Sequence, residues 1–191
     1  MRAQGPGQSA LLLLDVIDIL QTLHIPYAIV GAFAASFHGV VRASLDADAV
    51  MSVRSGQTGV EALLKALRAT GCQVTHRVGD ADDPIGAVVT VEDQAHNRVD
   101  LLMKIRGMSE DVFARTVEAE FLQARICVIG VEDFIAMKLF AGSPQDLEDA
   151  IGVLKVSYER IRLPLLNELV QPYGQDAVER LRTLLRLQTP R

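Results

Sequence analysis

Two aspartates one residue apart, set in an otherwise apolar run, constrain this chain more than any other feature: Leu45-Asp46-Ala47-Asp48-Ala49-Val50-Met51. Aspartate disfavours strands, yet the run reads as a strand continuing through Val53. Residues two apart in a strand point to the same face and lie roughly 6.5–7 Å apart. Asp46 and Asp48 therefore project side by side, and two carboxylates so placed repel unless a cation lies between them. Upstream, Tyr27-Ala28-Ile29-Val30 reads as a fully buried strand ending at Gly31. The small residues Ala32 to Phe37 form a short helix that His38-Gly39 closes, with His38 a helix-end or core histidine. Gly31 lets a phosphate approach the backbone, and the start of the Ala32–Phe37 helix offers free N–H groups. A magnesium site beside a glycine turn suited to phosphate is the expectation.

A third acid lies downstream. Ala87 to Val91 and Arg98 to Met103 are two apolar strands joined by the polar loop Glu92 to Asn97, and Asp100 stands inside the second. An ionised carboxylate in an apolar strand is costly to bury alone. Its partner is a shared cation or a neighbouring base, Arg98 or Lys104. Carboxylate oxygens suit magnesium, with substrate phosphates completing its shell. Two such ions support an in-line phosphoryl displacement, so the acids and the anion seat together call for a nucleoside triphosphate.

The remaining chain is read from periodicity. Ser9 to Leu23 is an amphipathic helix with Ser9 as its cap. Thr58 to Ala69 is a helix stopped by Gly71, Gln73 to Val78 a strand, Glu110 to Ala119 a helix and Ala124 to Ile129 a strand. Val131 to Ala141 is a helix ending at Gly142, on which Lys138 is either a lysine snorkelling over an apolar face or a phosphate partner. Gln145 to Val156 starts a further helix whose acids Asp146, Glu148 and Asp149 suit a first turn. Two closing helices, Arg162 to Val170 and Gln175 to Leu187, are split near Pro172-Tyr173-Gly174. Arg42 either binds phosphate or pairs with Asp46.

The bulk numbers bound the function. With 191 residues, 49% hydrophobic and 23% charged, the chain fits one α/β domain. The core covers residues 8–155 and a helical extension 156–191. No signal peptide and no apolar run of about 18 residues is apparent, which predicts a cytoplasmic location and no membrane. Cys72 and Cys127 lack metal-ligand spacing and read as reduced core thiols. A net charge of −5 argues against a dedicated DNA-binding protein. Residues 1–150 carry 12 Lys+Arg against 20 Asp+Glu, whereas 151–191 carry 7 against 4. That basic tail (Arg160, Arg162, Arg180, Arg182, Arg186, Arg191) is a solvated helix face or a contact for RNA.

In order, Gly-Ala-x-Ala-x-x-x-His-Gly-x-x-Arg-x-Ser-x-Asp-x-Asp, then Arg-Val-Asp-Leu-Leu, then Ile-Ala-Met-Lys-Leu-x-Ala-Gly with Asp-Leu-Glu-Asp, resemble the nucleotidyltransferase superfamily. The resemblance is nearest to AbiEii-type (type IV toxin-like) nucleotidyltransferases and spans most of Leu11 to Leu154. It implies a mixed β-sheet flanked by helices, with C-terminal helices. It implies Asp46, Asp48 and Asp100 as metal-binding and catalytic residues, with two Mg2+ ions once a nucleoside triphosphate is bound. Gly31, Ala32, Arg42, Ser44, Lys138 and Asp146 then fall on nucleotide-binding positions. Implied partners are the triphosphate, an RNA, protein or small-molecule acceptor and an antitoxin-like protein. The chain departs from the pattern at Ala32, where Gly or Ser is common, at Ser143-Pro144-Gln145, where a basic residue is common, and at the small Ala47 and Ala49. The first two departures motivate an alternative, a non-catalytic nucleotide-binding module or partner subunit.

Overall fold

The computed structural model describes residues 1–52 and 57–188; the expected strand end at Val53 and the tail residue Arg191 lie outside them. A seven-stranded mixed sheet forms the centre, in the order β3-β4-β5-β2-β1-β7-β6. Its strands are β1 (Tyr27–Ile29), β2 (Asp46–Met51), β3 (Gln73–Val78), β4 (Ile85–Glu92), β5 (Arg98–Ile105), β6 (Val117–Phe121) and β7 (Ala124–Val128). The pairs β2–β5 and β1–β7 are parallel and the other four antiparallel. The helices are α1 (Ser9–Thr22), α2 (Gly31–Phe37), α3 (Gln57–Arg68), α4 (Val131–Ala141), α5 (Pro144–Ser157), α6 (Leu163–Val170) and α7 (Gln175–Gln188).

Strand alternation separates the two faces of the sheet at its centre. Ala47, Ala49, Val99, Leu101 and Val89 are fully buried, and α1 packs against β2 and β5. The small Ala47 and Ala49 leave room for the leucine-rich side of α1, where Leu12, Leu13, Val16, Ile17 and Leu20 are all buried. The opposite face carries Asp46, Asp48 and Asp100. Ser9 does not cap α1, whose N-cap is Gln8. Instead its buried hydroxyl donates to the Leu45 carbonyl and accepts from the Arg98 N–H at 3.1 Å. That bridge pins the starts of β2 and β5 to one helix end.

The second layer centres on α4, which packs against α5, α6 and α7. Helix α4 is buried all round, Glu132, Asp133 and Lys138 included. Each of those charges has a partner, as a buried ion must: Arg162 for Glu132, Arg115 for Asp133 at 2.7 Å, and two aspartates for Lys138. The basic tail is thus engaged structurally in part. Arg162 answers Glu132, and Arg180 donates to the Leu139 and Phe140 carbonyls, satisfying the exposed C-terminus of α4. His38 is buried, with Nε2 2.9 Å from the Ile129 carbonyl oxygen, as a core histidine should be. Cys72 and Cys127 are free thiols. Among the described residues no helix is long and apolar enough to cross a membrane.

One element differs from the sequence reading. Glu110 to Ala119 is not a helix: a 3-10 turn covers Glu110–Arg115, and β6 begins at Val117. The hairpin between β6 and β7 turns on Leu122 and Gln123, both left-handed, with φ 48° and 65°. Two positive φ values are usual for a two-residue hairpin turn, but Asn-Gly is the residue pair that advertises it. Leu-Gln carries no such signal, so the preceding strand is silent in the sequence. Replacing Leu122-Gln123 with Asn-Gly should stabilise the protein by about 0.5–1 kcal/mol, read as an increase in the urea midpoint with an unchanged slope.

Candidate active site

Strand register brings the acids together. In the parallel β2–β5 pair, Asp46 lies opposite Arg98 and Asp48 opposite Asp100. Thr90, on the other side of β5, lies opposite Asp100. The Thr90 hydroxyl donates to Asp100 Oδ1 at 2.6 Å, and Arg98 grips both oxygens, Nε to Oδ1 at 3.3 Å and Nη2 to Oδ2 at 2.8 Å. Asp100 is thereby compensated. Among the described residues, the Asp46 and Asp48 carboxylates have no hydrogen-bond or ion-pair partner. Burial, then the charges of Asp100 and Asp46, push the Asp48 carboxyl up to about 6, against a smaller opposing pull from Lys138 and Arg42. A half-buried acid crowded by like charge is the electrostatic condition that a cation relieves.

The donor set fits a hard divalent cation, because carboxylate oxygens are its preferred ligands. Asp46 and Asp48 would hold it, with Asp100 across the strand pair. Among the described residues no three ligating side chains are already drawn around one point, and Asp100 is held instead by Arg98 and Thr90.

Gly31 is dictated by Asp48. Its φ is +63°, and a Cβ built there would fall 2.2 Å from Asp48 Oδ2. The Val30 N–H also donates to the Asp48 carbonyl at 2.9 Å. The missing side chain thus admits the Asp48 carboxylate against the start of α2. Ala32 is buried, and the Ser44 hydroxyl donates to the Asp46 carbonyl at 2.9 Å, shaping the entry to β2.

A second cluster stands beside the acids. Lys138 is not a snorkelling surface residue: it is 5% exposed. Its Nζ lies 2.7 Å from Asp146 Oδ1, 2.8 Å from Asp149 Oδ2 and 5.7 Å from the centre of the Phe134 ring. Asp146 also completes a capping box with Ser143 at the start of α5. Burial alone would raise the Asp146 carboxyl, but hydrogen bonds from Lys138 and Ser143 outweigh it and hold it below the usual carboxylate range. Arg42 does not pair with Asp46. Its Nε lies 3.2 Å from Asp149 Oδ1, so one carboxylate, 1% exposed, ties two cations from separate elements.

Asp149 and Thr90 were not singled out by the sequence reading as site residues, although both left signals. Asp149 stands one helical turn after Asp146 and so shares its face. Thr90 follows from counting outward across the β4–β5 hairpin from its five-residue loop 93–97, Glu92 pairing with Arg98 and Thr90 with Asp100.

The shape of the whole chain is that of known proteins. The antibiotic-resistance factor ANT(2'')-Ia, in complex with adenylyl-2''-tobramycin, superposes with a TM-score of 0.58 at 13% identity, over 87% of this chain and 96% of that one. An antigenic nucleotidyltransferase-like protein from Paracoccidioides brasiliensis gives 0.56 at 14% identity, over 97% and 91%. This chain has the nucleotidyltransferase fold. A nucleotidyltransferase-fold protein from Thermotoga maritima, described as a putative nucleotidyltransferase, gives 0.55 at 15% identity, over 86% and 96%. No family model matches the sequence, and no curated protein matches it significantly. The nucleotidyltransferase fold is therefore carried here by a sequence far diverged from those structures.

Two outcomes follow from these charges. Because the folded carboxyl of Asp48 titrates above the unfolded one, its ionisation costs stability above about pH 6 and the cost disappears as pH falls towards 4. Asp48→Asn should raise the melting temperature of the metal-free protein by roughly 2–6 °C at pH 8, and the gain should vanish near pH 4. Asp149→Ala strands two buried or half-buried cations and should destabilise by about 3–5 kcal/mol, measured by chemical denaturation.

Proposed function

We propose that this protein is a magnesium-dependent nucleotidyltransferase that moves a nucleoside monophosphate from a nucleoside triphosphate to a hydroxyl acceptor, releasing pyrophosphate. The observation that carries this reading is the in-register pair Asp48 and Asp100 with Asp46 on the same sheet face, Asp48 having no direct ion-pair partner among the described residues. Magnesium held by these carboxylates would supply positive charge to the transferring phosphate and its leaving group. Asp46 and Asp48, at the start of β2, would hold it. Asp100, on the neighbouring strand, would take the proton of the acceptor hydroxyl. Arg42 and Lys138, held by Asp149, set a fixed positive potential opposite Asp48 that favours the triphosphate.

The nucleotidyltransferase-fold neighbours include ANT(2'')-Ia with its adenylylated tobramycin and a lincosamide antibiotic adenylyltransferase bound to lincomycin. They support transfer to a small-molecule hydroxyl as one acceptor class, beside RNA and protein. The order of the motifs supports an AbiEii-type assignment, and with it an antitoxin-like partner. A second reading, a nucleotide-binding module without turnover, has its support in the buried Ala32 and in Asp100 already neutralised by Arg98.

The deciding experiment incubates the protein with each labelled nucleoside triphosphate, magnesium and RNA, protein or aminoglycoside and lincosamide acceptors. Label should pass to an acceptor, and the rate should fall by at least about 10²–10³-fold in Asp46→Ala and Asp48→Ala. Triphosphate binding by calorimetry without magnesium dependence or turnover would favour the module instead.

A further inference from the structure

The contact between Arg98 and Asp100 is unusual in its position. Arg98 stands two residues before Asp100 on the same strand face and directly opposite Asp46. Its backbone N–H is fixed by the Ser9 hydroxyl at 3.1 Å, so the Cα is anchored, and the long side chain can turn about it once its grip on Asp100 is broken. The Asp100 side chain is 14% exposed and that of Arg98 45% exposed: the carboxylate is enclosed and the guanidinium sits at the opening. Both Asp100 oxygens are engaged by Arg98, and Oδ1 also by Thr90. Asp46 and Asp48, in contrast, have no such partner among the described residues. Of the three acids that face one another here, Asp100 alone is neutralised by a direct partner among the described residues.

We infer that Arg98 is a resident counter-ion for Asp100, displaced when a divalent cation binds, and that its released guanidinium then takes up a phosphate of the incoming nucleotide. The inference rests on the proposed metal and triphosphate reading of this site. A cation and Arg98 compete for the same negative charge, so their binding to Asp100 is antagonistic, and the coupling acts equally in both directions. Displacement costs little, because the freed guanidinium is already at the surface and returns to water. The planar fork that matches a carboxylate also matches a phosphate. Cation binding and phosphate capture are then linked by one side chain: the site is neutral at Asp100 when empty and presents an arginine only when metal is present.

The test uses Mn2+ as a spin probe on the full chain, first without nucleotide. Arg98→Gln removes the competitor, and by electron paramagnetic resonance its Mn2+ affinity should exceed that of the parent by roughly 5–50-fold. Arg98→Lys keeps a charge without the two-point grip and should fall between. An unchanged or weaker affinity in Arg98→Gln, with an unaltered melting temperature, overturns the counter-ion role. In a second arm, a non-hydrolysable triphosphate analogue is titrated calorimetrically with saturating Mn2+. Arg98→Gln should bind it about tenfold more weakly, and equal affinity overturns the phosphate hand-over. Neither arm requires turnover. Mn2+ effects as expected in a protein that transfers no nucleotide would overturn the enzymatic reading alone, whereas absence of Mn2+ binding in parent and variants alike overturns both.

Discussion

The repulsion between Asp48 and its two carboxylate neighbours is the constraint on which the rest of this structure turns. The parallel pairing of β2 and β5 fixes Asp48 opposite Asp100, and the strand period puts Asp46 beside it. A fold stabilised only by burial would replace such acids, since a carboxylate taken even partly out of water without a partner is costly. Here the surroundings accommodate them. Gly31 leaves the space that Asp48 occupies, Thr90 and Arg98 hold Asp100, and the pair of cations on Asp149 faces the group. The carboxyl of Asp48 carries the remaining imbalance.

Rigidity around that imbalance comes from two independent sources. On one side the Ser9 hydroxyl joins the beginnings of β2 and β5, so the acids cannot shift relative to one another without breaking a buried contact. On the other, α4 is a helix without a solvent face, held by α5, α6 and α7. Its three buried charges would be destabilising if unpaired, so the partners of Glu132 and Lys138 specify how α5 and α6 dock, while Arg115 ties Asp133 to the 3-10 turn before β6. Arg180 adds to this by taking the carbonyls at the end of α4. The basic residues of the tail therefore serve packing in part, and the charge excess of that segment overstates the surface free for a polyanion.

Most of the fold was legible in the sequence because its elements announce themselves locally. The apolar spacing of α1, the glycines closing α2 and α4, and the hairpin loop between β4 and β5 all follow from rules acting over a few residues. The failure at β6 has the same origin. Its turn uses Leu122 and Gln123 in a left-handed conformation that tertiary context imposes and neither residue prefers. Ser9 misled for a related reason. A serine at a helix start is a good cap, but burial offered its hydroxyl two better partners on distant strands.

The sequence by itself determined the ingredients of the site: two aspartates one apart in a strand, a third in a later strand, and a glycine at the strand-to-helix junction. Period and composition suffice for that, since both act along the chain. Only the tertiary structure decided who partners whom. It set Asp48 against Asp100, gave Arg42 to Asp149 rather than to Asp46, buried Lys138 between two carboxylates, and placed Arg98 on Asp100. Pairing between charges depends on strand register and helix docking over separations of tens of residues, and on the burial that makes an unpaired charge expensive. Neither quantity is written in any local stretch of the chain.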